Sequence, residues 1–303
     1  MKLVTFQTLD ARPQMGVLTD DGRVQAVTFK RADGQTLTDL SDFVMGGHGE
    51  RFRELTPTAD PPYALEAVRL LSPLLRINSL RDFYAFEQHV KTANENRGRD
   101  MPPAWYEIPV FYFSNHTALF GMNDEIEIPK GCQALDYELE IACVIGKSGR
   151  DIAPEDAESH IFGLMIFNDW SARDLQRHEV SVGLGPAKAK DFASSFGPYL
   201  VTLDELRDRH AGRDGVFDLE MIVRVNGEER GRGNFKDIFW SYGQMIARAS
   251  ANVTLHAGDV IGSGTVGTGC LLETTANQGA WLKAGDVVEM EIERLGVLKN
   301  RVG

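Results

Sequence analysis

The sequence predicts an α+β fold in which strands dominate and helices are few. Short apolar runs of strand length recur at 110–114, 134–146, 162–168, 219–225, 259–262 and 287–295. Helical patterns are confined to three places, near 79–94, 171–179 and 239–251. The strands do not alternate regularly with those helices, which disfavours a doubly wound parallel sheet.

Taken in order, the chain opens with strand-like runs at 2–8, 15–19 and 24–29, the last two joined by Asp20-Asp21-Gly22, a hairpin signal. A small β-rich lobe over residues 1–72 is expected. Pro61-Pro62 and Leu71-Ser72-Pro73-Leu74 mark the crossing to a larger domain over 73–303, because the residue before a proline is driven out of the helical region. That domain opens with a predicted helix. Ser79 and Asp82 have the S-x-x-D spacing of a cap, and Leu80, Phe83, Phe86 and Val90 are spaced for one buried face, ending near 94–98. The polar stretch 94–105 reads as a lid.

Composition limits the partners. A chain of 303 residues, 43% hydrophobic, supports a sizeable core, since this length buries roughly 75% of the unfolded surface. Lys+Arg 32 against Asp+Glu 44 gives a net charge of -12, which leaves no cationic footprint for nucleic acid. No apolar stretch approaches the roughly 20 residues of a spanning helix. The opening MKLVTFQTLD turns polar before a leader could form, so neither membrane insertion nor export is expected. Cys132, Cys143 and Cys270 are an odd set without CxxC spacing, which fits reduced thiols and a cytoplasmic location.

The chemistry concentrates in acids. In a strand Glu138 and Glu140 share a face, and two adjacent like charges on a core-like strand are costly unless a cation lies between them. Oxygen donors of this kind select Mg²⁺, Mn²⁺ or Ca²⁺ over Zn²⁺. The plainer reading is a solvent-facing strand with two solubilising glutamates. Asp169 ends the apolar run Leu164-Met165-Ile166-Phe167-Asn168, where a carboxylate is either a ligand or a turn residue, and Ser171-Ala172-Arg173-Asp174 reads as the cap of the next helix. On the helix predicted from Ser79, Asp82 and His89 lie seven residues apart and return to nearly one face.

The segments DYELEIACVIGK, IFNDWSARDLQ and IGSGTVGTG, in this order and at these separations, resemble the fumarylacetoacetate hydrolase superfamily from about residue 73 to the end. The resemblance implies a mixed β-roll catalytic domain, a homodimer, and a divalent cation, with Mg²⁺ first, on Glu138, Glu140 and Asp169. Asp82-Phe83-Tyr84 with Gln88-His89 is similar to fumarylacetoacetases proper, which implies Asp82 as a fourth ligand and His89 as general base. The same resemblance gives Glu273 as the acid paired to His89 and Lys190 as the group that polarises the substrate carbonyl. Tyr112, Gln176, Thr265 and Arg97 become substrate contacts. Arg99 competes with Arg97, and Lys188 with Lys190, which is preferred because it directly precedes Asp191-Phe192. Val180 stands where a tyrosine is expected, and Thr92 where acylpyruvase-like and oxaloacetate-decarboxylating members carry glutamate.

The implied activity is hydrolysis of a carbon–carbon bond in a small anionic β-diketo acid, fumarylacetoacetate to fumarate and acetoacetate or a related acylpyruvate. The alternatives are an oxo-acid decarboxylase or isomerase of the same family, and a non-catalytic binding protein. Gly262-Ser263-Gly264-Thr265-Val266-Gly267 matches a dinucleotide fingerprint in letters alone. Cys270-Leu271-Leu272-Glu273-Thr274-Thr275 reads as a strand rather than the helix such a site needs, so no nicotinamide cofactor is expected.

Overall fold

The computed structural model of the chain describes residues 1–9, 12–96, 98–276 and 280–303. Among these the fold is α+β, with two large sheets and short helices, as the sequence predicts. The N-terminal strands Lys2–Gln7, Gln14–Leu18 and Arg23–Lys30 form an antiparallel meander. Gly22 takes φ 79° in the turn, where its amide donates to the Thr19 carbonyl at 2.9 Å. Lys2–Gln7 pairs antiparallel with Ser194–Thr202, so one sheet continues across residue 73.

From Ser194–Thr202 the sheet runs through Ile161–Asp169, Leu139–Ile145, Asp259–Gly262, Ser79–Phe83 and Phe111–Ser114. The two central strands, Leu139–Ile145 and Ile161–Asp169, are buried at every position, which explains why they read as continuous apolar runs without alternation. A second sheet includes Gly296–Val302, Val287–Ile292, Glu220–Val225 and Glu228–Asn234. Ile141, Cys143, Leu164 and Ile166 of the first sheet share one core with Met221, Val223, Met290 and Leu298 of the second. Stacked sheets exclude water from the strand ends where acids emerge.

Several local expectations are corrected. Ser79–Phe83 is a strand, parallel to Asp259–Gly262 and antiparallel to Phe111–Ser114, and only Glu87–Glu95 is helical. Leu80 and Phe83 fit a helical interval because both faces of this strand are covered, so i,i+3 apolar spacing arises without a helix. Ser79 donates to Asp259 Oδ1 at 2.5 Å instead of capping, and Phe86 is extended at φ -96°. Leu271–Thr274 is a one-turn helix, not a strand. Ser171 donates to the Asp169 carbonyl at 3.0 Å, and the helix Arg173–Val180 starts without a side-chain cap. The run 134–146 is broken at Tyr137 and Glu138.

Helix Tyr242–Ser250 begins later than expected because Ser241 and Gln244 form a reciprocal capping box there. The far end of the stretch 94–105 is pinned. Trp105 is buried and its indole N–H donates to the Tyr84 carbonyl at 2.7 Å. No helix among the described residues is long and apolar enough to cross a membrane.

Candidate active site

Strand pairing assembles the acids. Asp82 lies in register with Gly262 on one side and Tyr112 on the other, at the end of Ser79–Phe83. Glu140 sits inside Leu139–Ile145, Glu138 just before it, and Asp169 at the end of the neighbouring Ile161–Asp169. These four carboxylates are buried, and one oxygen of each lies within 4.8 Å of the others. Burial decides against the reading of Glu138 and Glu140 as a solubilising strand face. Gly262 permits the approach, because a Cβ there would come 2.3 Å from Asp82 Oδ1.

The loop after Gly262 completes this wall. Glu140 Oε2 accepts the Gly264 amide at 2.9 Å and Oε1 the Thr265 hydroxyl at 3.4 Å. Gly264 adopts φ +77°, and a Cβ would meet the Phe83 carbonyl at 2.5 Å. The glycine-rich motif brings backbone against the Glu140 carboxylate. Although a short helix does follow, the Gly264 amide is already occupied by Glu140.

Two buried cations face the cluster. Lys190 Nζ hydrogen-bonds both Glu138 and Asp169, and Tyr112 Oη donates to Asp169. Arg173 spans Glu138 Oε1 and Asp136 Oδ2, each at 2.8 Å. Burial pushes all these carboxyls up. For Glu138, Lys190 and Arg173 outweigh burial and hold it below the usual range. Asp82 and Glu140 rise by burial and by repulsion from the neighbouring carboxylates, while Lys190 offsets only part of the rise at Asp169. Burial works against the Lys190 ammonium, yet Asp169 and Glu138 raise its pKa and keep it charged.

The histidine enters from the start of helix Glu87–Glu95. His89 is 4% exposed, with Nδ1 2.9 Å from Glu273 Oε2 and Nε2 4.0 Å from Glu138 Oε1. A carboxylate at Nδ1 fixes that proton there and leaves the Nε2 lone pair toward the cluster. Glu273 is held by the turn Leu271–Thr274, which is anchored because Asp136 accepts the amides of Leu271 and Leu272 at 2.8 and 3.1 Å.

His89, Lys190, Tyr112, Gln176 and Thr265 converge with Asp82, Glu138 and Glu140 on one cavity of about 250 Å³. Apolar walls come from Phe111, Val180 and Leu272. A larger groove, of about 620 Å³, lies between Arg53, Lys147 and Arg207 and contains none of the candidate site residues. Lys188 is 77% exposed and pairs with Asp191, so it does not reach the cavity. Arg99 is exposed outside it, and Arg97 lies outside the described residues. Thr92 turns its hydroxyl back to the Gln88 carbonyl at 3.0 Å. Sequence reasoning missed Asp136 and Arg173, although both lie within the motifs DYELE and SARD.

The donor set fits a divalent cation. Asp82 Oδ1 and Asp169 Oδ1 are buried without a hydrogen-bond partner. Lys190 and the shared Arg173 leave the four carboxylates with uncompensated negative charge, and all-oxygen donors suit hard ions. Asp82, Glu138, Glu140 and Asp169 can coordinate such an ion.

The family model described as fumarylacetoacetate (FAA) hydrolase C-terminal matches residues 79–303. The mitochondrial oxaloacetate tautomerase fahd2 of Xenopus laevis is 36% identical over 100% of this chain and 90% of its own length. A fumarylacetoacetase of Dictyostelium discoideum is 30% identical over 67% of this chain and 58% of its own, so the chain spans about three fifths of that relative. The crystal structure of 5-carboxymethyl-2-hydroxymuconate delta-isomerase from Mycobacterium smegmatis superposes with a TM-score of 0.72 at 26% identity, covering 100% and 99% of the two chains. With its ordered motifs folded around a carboxylate cluster and matched over most of its length, the chain belongs to the fumarylacetoacetate hydrolase superfamily.

Proposed function

We propose that this chain catalyses proton transfer at the carbon next to the carbonyl of a small anionic 2-oxo acid, as an oxaloacetate tautomerase or a related isomerase does. The observation that carries it is His89 Nε2 facing Glu138 at 4.0 Å across the cavity that Lys190 also lines, while Glu273 holds Nδ1 at 2.9 Å. A cavity of about 250 Å³ lies below the roughly 300–1,000 Å³ of drug-sized sites and suits a short diacid. The likeness to the Xenopus laevis tautomerase covers 100% of this chain and 90% of that protein, whereas two other tautomerases, like the fumarylacetoacetases, match about three fifths of their own length. This reading displaces hydrolysis from first place.

In the proposed step His89 Nε2 takes a proton from the carbon beside the carbonyl. The C–H electron pair becomes the carbon–carbon double bond, and negative charge moves onto the oxygen. The Lys190 ammonium stabilises that oxygen, while Glu273 stabilises the imidazolium through Nδ1–H. Returning the proton to oxygen completes the enol, and the reverse sequence restores the ketone. Tyr112, Gln176 and Thr265 orient the carboxylates. Bound on Asp82, Glu138, Glu140 and Asp169, a divalent cation, Mg²⁺ by preference, would supply Lewis-acid polarisation of the carbonyl.

Hydrolysis of a β-diketo acid is the second reading, favoured by Thr92, which stands three residues after His89 and turns its hydroxyl away to the Gln88 carbonyl. Water would then lose its proton to His89, and the same oxyanion would be stabilised. A cytoplasmic homodimer is part of either proposal.

The test is enol-to-ketone conversion of oxaloacetate, followed by loss of enol absorbance, alongside loss of fumarylacetoacetate and of an acylpyruvate, with Mg²⁺ and after EDTA. Metal-dependent enol loss alone supports tautomerisation. Fumarate and acetoacetate as products would move hydrolysis to first place, and no turnover of any of the three would sink both readings.

A further inference from the structure

His89 Nδ1, Cys270 Sγ and Glu273 Oε2 form a compact group on the side of the imidazole away from the carboxylate cluster. Nδ1 to Oε2 is 2.9 Å, Sγ to Oε2 3.5 Å and Sγ to Nδ1 4.0 Å. Around a tetrahedral Zn²⁺, with Zn–N and Zn–O near 2.0–2.1 Å and Zn–S near 2.3 Å, donor atoms stand roughly 3.3–3.6 Å apart, so each separation needs an adjustment of only about half an ångström. The second carboxylate oxygen, Glu273 Oε1, is buried without a partner in a side chain that is 3% exposed. The cavity lined by His89 and Leu272 provides a route of entry.

The donors differ in kind from the four carboxylates. A thiolate, an imidazole and one carboxylate are a borderline-soft set that selects Zn²⁺, whereas the all-oxygen cluster suits hard ions. Thiolate and carboxylate together cancel a divalent charge in this buried place, and the imidazole enters neutral. On binding, the Cys270 thiol releases its proton to solvent and no oxidation is involved.

We propose that His89, Cys270 and Glu273 form a second metal site, specific for Zn²⁺ over Mg²⁺, beside the carboxylate cluster. Coordination at Nδ1 places the one remaining imidazole proton on Nε2, which then has no lone pair for a substrate proton. Zn²⁺ is therefore an inhibitor. This consequence rests on the role proposed for His89, while binding does not.

The test uses the full chain saturated with Mg²⁺ and titrated with Co²⁺ as a spectroscopic substitute for Zn²⁺. A near-ultraviolet thiolate-to-Co²⁺ charge-transfer band is expected at one equivalent and is erased by Zn²⁺. The band should vanish in Cys270→Ser, whose folding is checked by Mn²⁺ binding at the carboxylates. It should persist in Glu140→Gln and in the double variant Cys132→Ser/Cys143→Ser. Zn²⁺ affinity should fall at least about tenfold in Cys270→Ser, as expected when a ligand is lost. Absence of the band in the wild type, its survival in Cys270→Ser, or its loss in the double variant overturns the site. A Cys270-dependent band without inhibition supports the site and overturns instead the role given to His89.

Discussion

Asp136 and Arg173 form a fully buried ion pair, Oδ2 to Nε 2.8 Å, that joins the carboxylate cluster to the segment carrying Glu273. The same guanidinium reaches Glu138, and the same carboxylate accepts two amides at the start of the Leu271–Thr274 turn. Neither residue faces solvent, so removing one charge strands the other. Asp136→Asn should cost about 3–5 kcal/mol of stability. Denaturant unfolding reads this directly, and a variant within error of wild type would contradict the coupling.

His89→Ala and Glu138→Gln should separate catalysis from metal binding. The first should lower turnover by about 10²–10⁴ while Mn²⁺ affinity, followed by calorimetry, is retained. Glu138→Gln should lose both, because it removes a carboxylate of the cluster and the partner of Lys190 and Arg173.

The two lysines give a direct contrast. Lys188 is 77% exposed and its pairing with Asp191 is worth no more than about 1 kcal/mol, so Lys188→Met should leave activity and stability near wild type. Lys190→Met removes a buried cation between Glu138 and Asp169. It should lower kcat by about 10²–10³, as losing an oxyanion donor does. Equal effects in the two variants would refute the assignment.

Gly262→Ala should abolish tight metal binding. The added methyl would lie 2.3 Å from Asp82 Oδ1 and 2.9 Å from Phe167 Cε1, so either the aspartate or the strand must move. Ala at Gly258, where φ is +91° and the contact is the Met45 side chain, should strain the chain but leave the cluster intact.

The thiols set an alkaline limit. Burial pushes Cys132 up to about 11 from an ordinary 9.0, and burial also raises Cys143 and Cys270. Above pH 9 the unfolded chain releases these protons while the folded chain keeps them. Stability is therefore present in full below about pH 9 and declines as pH rises toward 11. Urea midpoints measured between pH 8 and pH 10.5 should fall, and less steeply in Cys132→Ala. None of the thiols should react with iodoacetamide at neutral pH without denaturant.

Much of the site was legible because its chemistry is local in sequence. Glu138 and Glu140 alternate on one strand, Asp169 ends another, and the glycines after Asp259 announce a close backbone approach; each is a property of a few adjacent residues. The strand at Ser79–Phe83 was not legible, because a segment covered on both faces loses its period of two and Leu80, Phe83, Phe86 and Val90 then imitate a helix. The turn at Leu271–Thr274 escaped for a related reason, since an extended-looking run of Leu and Thr folds back only when Asp136 captures its amides.

The sequence by itself determined the strand-dominated class, the N-terminal hairpin and the acids on which the site is built, because side-chain period and turn chemistry act over a few residues. Tertiary structure alone decided which partners those acids have. The parallel pairing of Ser79–Phe83 with Asp259–Gly262 carries Asp82 to Glu140, and the anchoring of a distant turn by Asp136 carries Glu273 to His89. Such meetings are fixed by strand pairing and by the cost of leaving a buried charge unpaired, and neither is written into the spacing of any one segment.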